Sequence, residues 1–152
     1  MRNNEQIRGA YPQAALTTDI IAGFPGETGE EHQETMRSLD TIGFARLHVF
    51  PYSARTGTAA AALPGHLAKA VRERRAREIA SLGRMMAQRY HRSFLDTVLP
   101  VLFETMNEDG MAAGYTREYI RVEAANAQLG RTLPVWIRGL TTEGLAGETQ
   151  LG

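Results

Sequence analysis

The feature that most constrains this chain is a pair of apolar runs, each ending in a turn rich in glycine, proline and polar residues. Residues 16–27 read LTTDIIAGFPGE and residues 44–59 read FARLHVFPYSARTGTA, with GEEHQETMRSLDTIG between them. Leu16, Ile20, Ile21, Ala22 and Phe24 follow in near-continuous order, which suits a parallel strand buried on both faces. Strand, loop, helix, strand, loop is a βαβ unit. Its functional residues belong on the loops at the C-terminal ends of the strands.

The local signals agree. Gly26 permits a turn that residues with a Cβ resist, and Pro25 fixes its start. Thr28 and Glu31 fit a capping box, so a helix is expected from about Gly29. His32, Thr35, Met36 and Leu39 fall on one helical face, and Gly43 suits the C′ position. In the second strand Leu47, Val49 and Phe50 are core candidates. Asp19 interrupts the first strand and is expected to hydrogen-bond a neighbouring strand or loop. Arg55 alone would read as a surface loop arginine, but it is also a fixed donor suited to anionic or sulfonium-side ligands.

The net charge is zero but unevenly spread. Residues 66–93 carry eight Lys/Arg against two acids, while residues 1–65 carry five against seven and residues 94–152 four against eight. Residues 66–94 read as one long helix with Leu67, Val71, Ile79, Leu82, Met86 and Tyr90 as its apolar stripe. Gly83 weakens it by about 1 kcal/mol relative to alanine. A charge run on a helix is commonly a solvated face. Here the excess also suits RNA phosphate, through Arg72, Arg74, Arg75 and Arg77.

From Thr97 the pattern changes to short strand candidates punctuated by turns, which suggests a small OB-like β-barrel. Such barrels bind single-stranded nucleic acid on aromatic and basic residues, for which Tyr115, Arg117, Tyr119 and Arg121 are the candidates. Trp136 and Phe103 are expected in the core. The fold class is thus α/β plus all-β. Residues 1–65 are expected to hold the βαβ unit and to end in a small-residue hinge, 66–93 to form a basic linker helix and 94–152 the β-barrel.

Cysteine is absent, which excludes disulfides and any cluster or zinc site built on this chain's thiolates. The four histidines, His32, His48, His66 and His91, lack metal-ligand spacing, and His32 and His66 are expected on solvated faces or loops. No apolar run nears the ~20 residues of a membrane span and no signal-peptide pattern opens the chain, so a cytoplasmic location is expected.

Both loops have a familiar spelling. TTDIIAGFPGET followed by HVFPYSARTGTAA resembles the late barrel strands of the radical S-adenosylmethionine tRNA methylthiotransferases (MiaB/MtaB-like), which modify an adenosine beside the anticodon. Phe94-Leu95, Glu104, Gly114-x-Thr116-x-x-Tyr119-Ile120-x-Val122, Leu129-Gly130 and Gly144-Leu145-x-Gly147-Glu148 resemble the TRAM domain, the RNA-binding barrel of the same enzymes. The HVFPYS spelling is closest to the branch acting on C2 of N6-threonylcarbamoyladenosine. The alternatives are the isopentenyladenosine and ribosomal-protein branches.

The resemblance implies that residues 1–65 are the C-terminal part of a radical-SAM (β/α) barrel, with S-adenosylmethionine beside Gly23, Phe24, Pro25, Gly26, Glu27, Tyr52, Ser53 and Arg55, and a tRNA anticodon stem-loop as partner. It also implies 4Fe-4S clusters held by cysteines, none of which this chain has. The chain alone is therefore expected to be inactive and to need the family's N-terminal half, covalently or in trans, with residues 1–65 packing poorly without it. The competing expectation is a non-catalytic RNA-binding fragment of helix and barrel. An adaptor without RNA contact would leave the arginine-rich helix unexplained.

Overall fold

The computed structural model of the chain describes residues 6, 7 and 9–149. The polar opening stretch lies mostly outside these. Its described end makes one helical bond, from Tyr11 N–H to the Ile7 carbonyl at 2.7 Å. Two compact units, Met1–Ala87 and Gln88–Gly152, divide the chain.

In the first unit β1 (Thr17–Ala22) and β2 (Arg46–Pro51) pair in parallel, Thr17 beside Arg46 and Ala22 beside Pro51. The crossover helix α1 (Gly29–Ile42) starts at the Thr28 capping box and stops at Gly43, whose φ of 68° closes the helix through a bond to the Leu39 carbonyl. A short 3-10 turn, Ala59–Ala62, capped by Thr58, precedes α2 (Lys69–Arg92). Ala22, Leu39, Ala76, Ile79 and Met86 form the buried core, with Ile20, Met36, Leu47, Val49 and Leu82 packed against it. Gly83 is buried against β2, where a Cβ would meet the Leu47 side chain at 3.3 Å. The helix propensity it gives up allows close helix–strand approach.

Three sequence expectations change here. β1 is covered on one face only: Ile20 and Ala22 face the core, whereas Thr17, Asp19 and Ile21 are exposed. Phe50, expected in the core, is likewise 54% exposed. A two-stranded sheet whose helices contribute to one core leaves its other face bare. Asp19 therefore meets solvent instead of a neighbouring strand. The apolar stripe of α2 packs inward here, residues 76–86 joining this first core.

The second unit is the expected barrel. β3 (Val98–Met106), β4 (Ala112–Thr116), β5 (Arg121–Ala125), β6 (Thr132–Leu140) and β7 (Gly144–Thr149) close in the order β3-β4-β5-β7-β6. Only β5 and β7 pair in parallel. Alternation puts Val101, Phe103, Val122, Val135, Ile137 and Leu145 inside, where Phe94 joins them. Register shifts make Glu104 and Arg138 bulged residues. Gly114 is required by strand approach: its Cβ would lie 2.0 Å from the Leu102 carbonyl oxygen. Phe103 is core as expected, but Trp136 is not. It stands between buried Val135 and Ile137, and strand alternation turns it to the outside of the barrel.

Candidate functional site

The G-F-P-G-E loop and the tyrosine after β2 come together at the C-terminal ends of the two strands. Tyr52 N–H donates to the Ala22 carbonyl at 2.8 Å, and the Tyr52 and Phe24 rings meet edge to face at 5.3 Å. His66 lies 5.8 Å from the Tyr52 ring, and Gly26 N–H donates to the Gly65 carbonyl at 2.9 Å. Gly23 has φ 74°, and a Cβ on it would press on Arg72 at 2.6 Å, so the loop and α2 close directly on each other. Ser53 and Arg55 stay exposed on the following loop and join none of these contacts.

Glu27 organises the loop. Its carboxylate accepts from Arg75 Nη1 at 2.6 Å and from Gly23 N–H at 3.0 Å, and Arg75 also reaches the Glu27 carbonyl at 2.8 Å. His32 is buried, contrary to the solvated position expected of it. Its Nε2 lies 2.7 Å from Glu78, and its Nδ1 lies 3.9 Å from Glu27. Arg72 Nη1 donates to the Tyr52 carbonyl. Three buried side-chain polar atoms have no hydrogen-bond partner among the described residues, and all belong to this cluster: His32 Nδ1, Tyr52 Oη and Arg72 Nε. An open cleft of about 660 Å³ adjoins the loop, lined by Phe24, Pro25, Glu27, Glu31, Thr35 and Leu39 among others. Glu31, the capping-box partner, has its carboxyl held below the usual carboxylate range by hydrogen bonds from the Thr28 backbone and hydroxyl.

The four helix arginines expected against RNA therefore divide. Arg75 is buried and Arg72 half-buried, and both guanidiniums bind the loop region, which removes them from an outward phosphate face. Arg74 and Arg77 are exposed, and Arg74 makes only a long pair to Glu78 at 3.8 Å. Arg84, not among the four, is exposed about two helical turns beyond Arg77 and continues its ridge.

On the barrel, Tyr115 and Arg121 are register partners on β4 and β5, and the β4–β5 turn carries Arg117 and Tyr119. Tyr119 is 83% exposed and holds φ 58°, an unfavourable conformation for an aromatic residue. Thr116 stabilises the turn by accepting from Glu118 and Ile120 N–H at its hydroxyl. Arg121 is tied to Glu123 and lies 3.9 Å from Glu143. Sequence reasoning missed the outward Trp136, over whose ring the Arg138 guanidinium stacks at 4.0 Å. The signal was its alternation with Val135 and Ile137.

No protein-family model matches the chain. Among curated proteins it is 37% identical over 121 residues to the threonylcarbamoyladenosine tRNA methylthiotransferase MtaB of Bacillus subtilis, covering 77% of this chain and 27% of the relative. It is 30% identical over 145 residues to the protein of the same name from Thermotoga maritima, covering 95% and 33%. It is also 33% identical over 135 residues to the tRNA-2-methylthio-N(6)-dimethylallyladenosine synthase of Syntrophotalea carbinolica, covering 86% and 31%. A solution structure of a conserved Methanococcus maripaludis protein matches 38% of this chain and 80% of its own at 19% identity and a TM-score of 0.35, too distant a likeness to bear on the fold. The chain spans about a third or less of the length of the curated relatives it matches. Within that span, the chain belongs to the MtaB/MiaB-like tRNA methylthiotransferase family.

Proposed function

We propose that these residues serve as the C-terminal portion of a radical S-adenosylmethionine enzyme that adds a methylthio group to C2 of N6-threonylcarbamoyladenosine beside the anticodon. The observation that carries this reading is the 37% identity over 121 residues to a relative named for that reaction. Relatives named for dimethylallyladenosine match at 33–37%, which makes that base the second reading of the substrate. In this proposal β1, α1 and β2 are one βαβ segment of a larger barrel, and the bare sheet face is its interior.

The loop cluster fits a small polar ligand such as S-adenosylmethionine. It offers an unpartnered buried Tyr52 hydroxyl, an exposed Phe24 ring and a loop held rigid by Glu27 and Arg75. When bound, that cofactor supplies the radical precursor. Gly23, Phe24, Pro25, Gly26, Glu27 and Tyr52 would bind and orient it, with Ser53 and Arg55 on the loop beyond. The iron–sulfur clusters do not fit this chain. It has no cysteine, and among the described residues no group of three or more His, Asp or Glu is placed to hold a metal. No catalytic step is assigned to these residues alone.

The helix and barrel are the tRNA-binding part. Arg74 and Arg77 offer exposed cations to phosphate, and Tyr115, Arg117, Tyr119 and Arg121 offer an aromatic and basic surface on one sector of the barrel. The remaining two-thirds of the enzyme, covalently attached or in trans, is the other partner. No described helix is long and apolar enough to cross a membrane, and the proposed location is the cytoplasm with the tRNA.

Intact mass and iron content of the protein purified from its native source test the assignment. A larger polypeptide, or a tight complex, that carries iron is expected. A 16.7 kDa iron-free chain without a co-purifying partner would overturn the catalytic reading and leave the RNA-binding fragment.

A further inference from the structure

The barrel has a second outward sector, on β3 and β6, that adjoins the tRNA-binding surface above at Tyr115. Val98, Pro100 and Leu102 alternate outward along β3, and their register partners on β6 are Trp136, Pro134 and Thr132. Leu102 is also the partner of Tyr115 on β4. An apolar stripe therefore crosses three strands from Trp136 to Tyr115. Val98, Leu102, Tyr115 and Trp136 are 36–48% exposed, which is unusual for side chains of this size in a barrel this small.

Acids of this unit border the sector and are sparse within it. Residues 94–152 carry eight acids and four arginines. Asp96, Glu108, Asp109, Glu118 and Glu143 lie off the strands and Glu123 lies on β5, while Glu148, on β7, is the register partner of Trp136 and borders the sector there. Across β3, β6 and the outward part of β4 the only acid is Glu104, at the bulge beyond Leu102. The sector's cation is Arg138, the other bulged residue, whose guanidinium lies 4.0 Å from the centre of the Trp136 ring. Its carboxylate neighbour, Asp96, is distant at 3.8 Å and 81% exposed, so the cation is weakly neutralised. Arg121 stands at the far end beside Tyr115.

Aromatic rings and stacked guanidinium planes bounded by cations are what unpaired bases stack on. At about 3.3 Å per residue and about 4.8 Å between strands, Trp136 and Tyr115 are about 16 Å apart, the reach of a few nucleotides. We propose that the β3–β6 face is a base-stacking platform for single-stranded RNA, with Trp136 and Arg138 as its anchor and Tyr115 at its other end. This rests on the tRNA-binding reading and extends it from Tyr115, which the two surfaces share, onto β3 and β6, which that reading leaves free.

Trp136 is the chain's single tryptophan, so its emission reports on this face alone. The full chain is titrated with a mixed-sequence single-stranded 12-nucleotide RNA, following tryptophan emission. In parallel, the anisotropy of a labelled copy of the RNA measures binding anywhere on the protein. The platform predicts saturable quenching that tracks the anisotropy. It also predicts a roughly 5- to 100-fold weaker Kd for Trp136→Ala, largely restored in Trp136→Phe, from the ~1–3 kcal/mol of one lost base stack. Arg138→Gln, which leaves the ring in place, should weaken binding and lower the salt slope by about one. If anisotropy rises while emission and the Trp136→Ala affinity stay unchanged, the platform is wrong and RNA binding elsewhere stands. If anisotropy never rises, the RNA reading itself fails. If emission shifts with protein concentration alone and sedimentation shows dimers, the face belongs to a second copy and the proposal is overturned.

Discussion

Replacing Arg75 with methionine tests whether the Glu27 network holds the G-F-P-G-E loop on α2. The Arg75 side chain is 9% exposed, and it supplies two of the hydrogen bonds made to Glu27, at 2.6 Å to the carboxylate and 2.8 Å to the carbonyl. Methionine keeps most of the buried stem and removes the cation. The Glu27 carboxylate, 18% exposed, is then left with Gly23 N–H at 3.0 Å and a His32 nitrogen 3.9 Å away. Breaking a fully buried pair costs about 3–5 kcal/mol, and the partial exposure of Glu27 brings the expected loss to about 2–3 kcal/mol. That corresponds to opening about 30 to 150 times more often. Hydrogen exchange followed peptide by peptide reads it directly. The amides of β1 and α1 should exchange faster by that factor, while those of the β-barrel, in the other compact unit, stay unchanged as an internal control. Pairing the change with Glu27→Leu should recover most of the loss, since a buried pair replaced on both sides by apolar groups is often close to neutral. Unchanged β1 and α1 exchange in Arg75→Met, or a double variant worse than the sum of the singles, would refute the reasoning.

Gly114→Val should prevent barrel closure, because even a Cβ there sits 2.0 Å from the Leu102 carbonyl oxygen, and loss of the cooperative thermal transition of the second unit would report it. Tyr119→Gly relieves the left-handed conformation at φ 58° and should stabilise the barrel by about 1 kcal/mol in urea unfolding, while weakening RNA binding if the ring is a contact. Burial, with Glu118 adding to it, pushes the Tyr90 hydroxyl up to about 12 from its usual 10. The folded state thus favours the neutral phenol, so this contribution is complete below pH 10, is lost as pH rises from 10 to about 12, and should vanish from the alkaline stability profile of Tyr90→Phe. Arg74→Gln with Arg77→Gln should lower the slope of log affinity for tRNA against log salt by about 1–2, measured by filter binding.

Local signals in the sequence were read with little error. Thr28, Glu31 and Gly43 bounded α1 because caps are decided within one turn, and the turn residues between short apolar stretches marked off the barrel strands. What escaped depended on partners far along the chain. Arg75 and Glu27 are 48 residues apart, so nothing near the arginine-rich run distinguished an inward guanidinium from an outward one. His32 shared a helical face with Met36 and Leu39, which was the true signal of its burial, but its acid partner at Glu78 lies 46 residues on. Ile21 and Phe50 are apolar on a bare face, which composition cannot distinguish from core. Trp136 was assigned by residue type when its strand parity pointed outward. The loop cluster was legible as two motifs, and its junction with α2 was not.

The central claim concerns the modified base. Nucleosides from the tRNA of the source organism, with and without the gene for this chain, are separated and weighed by mass spectrometry. The account predicts loss of 2-methylthio-N6-threonylcarbamoyladenosine and accumulation of N6-threonylcarbamoyladenosine when the gene is removed. An unchanged nucleoside profile, with the methylthio form intact, would contradict it.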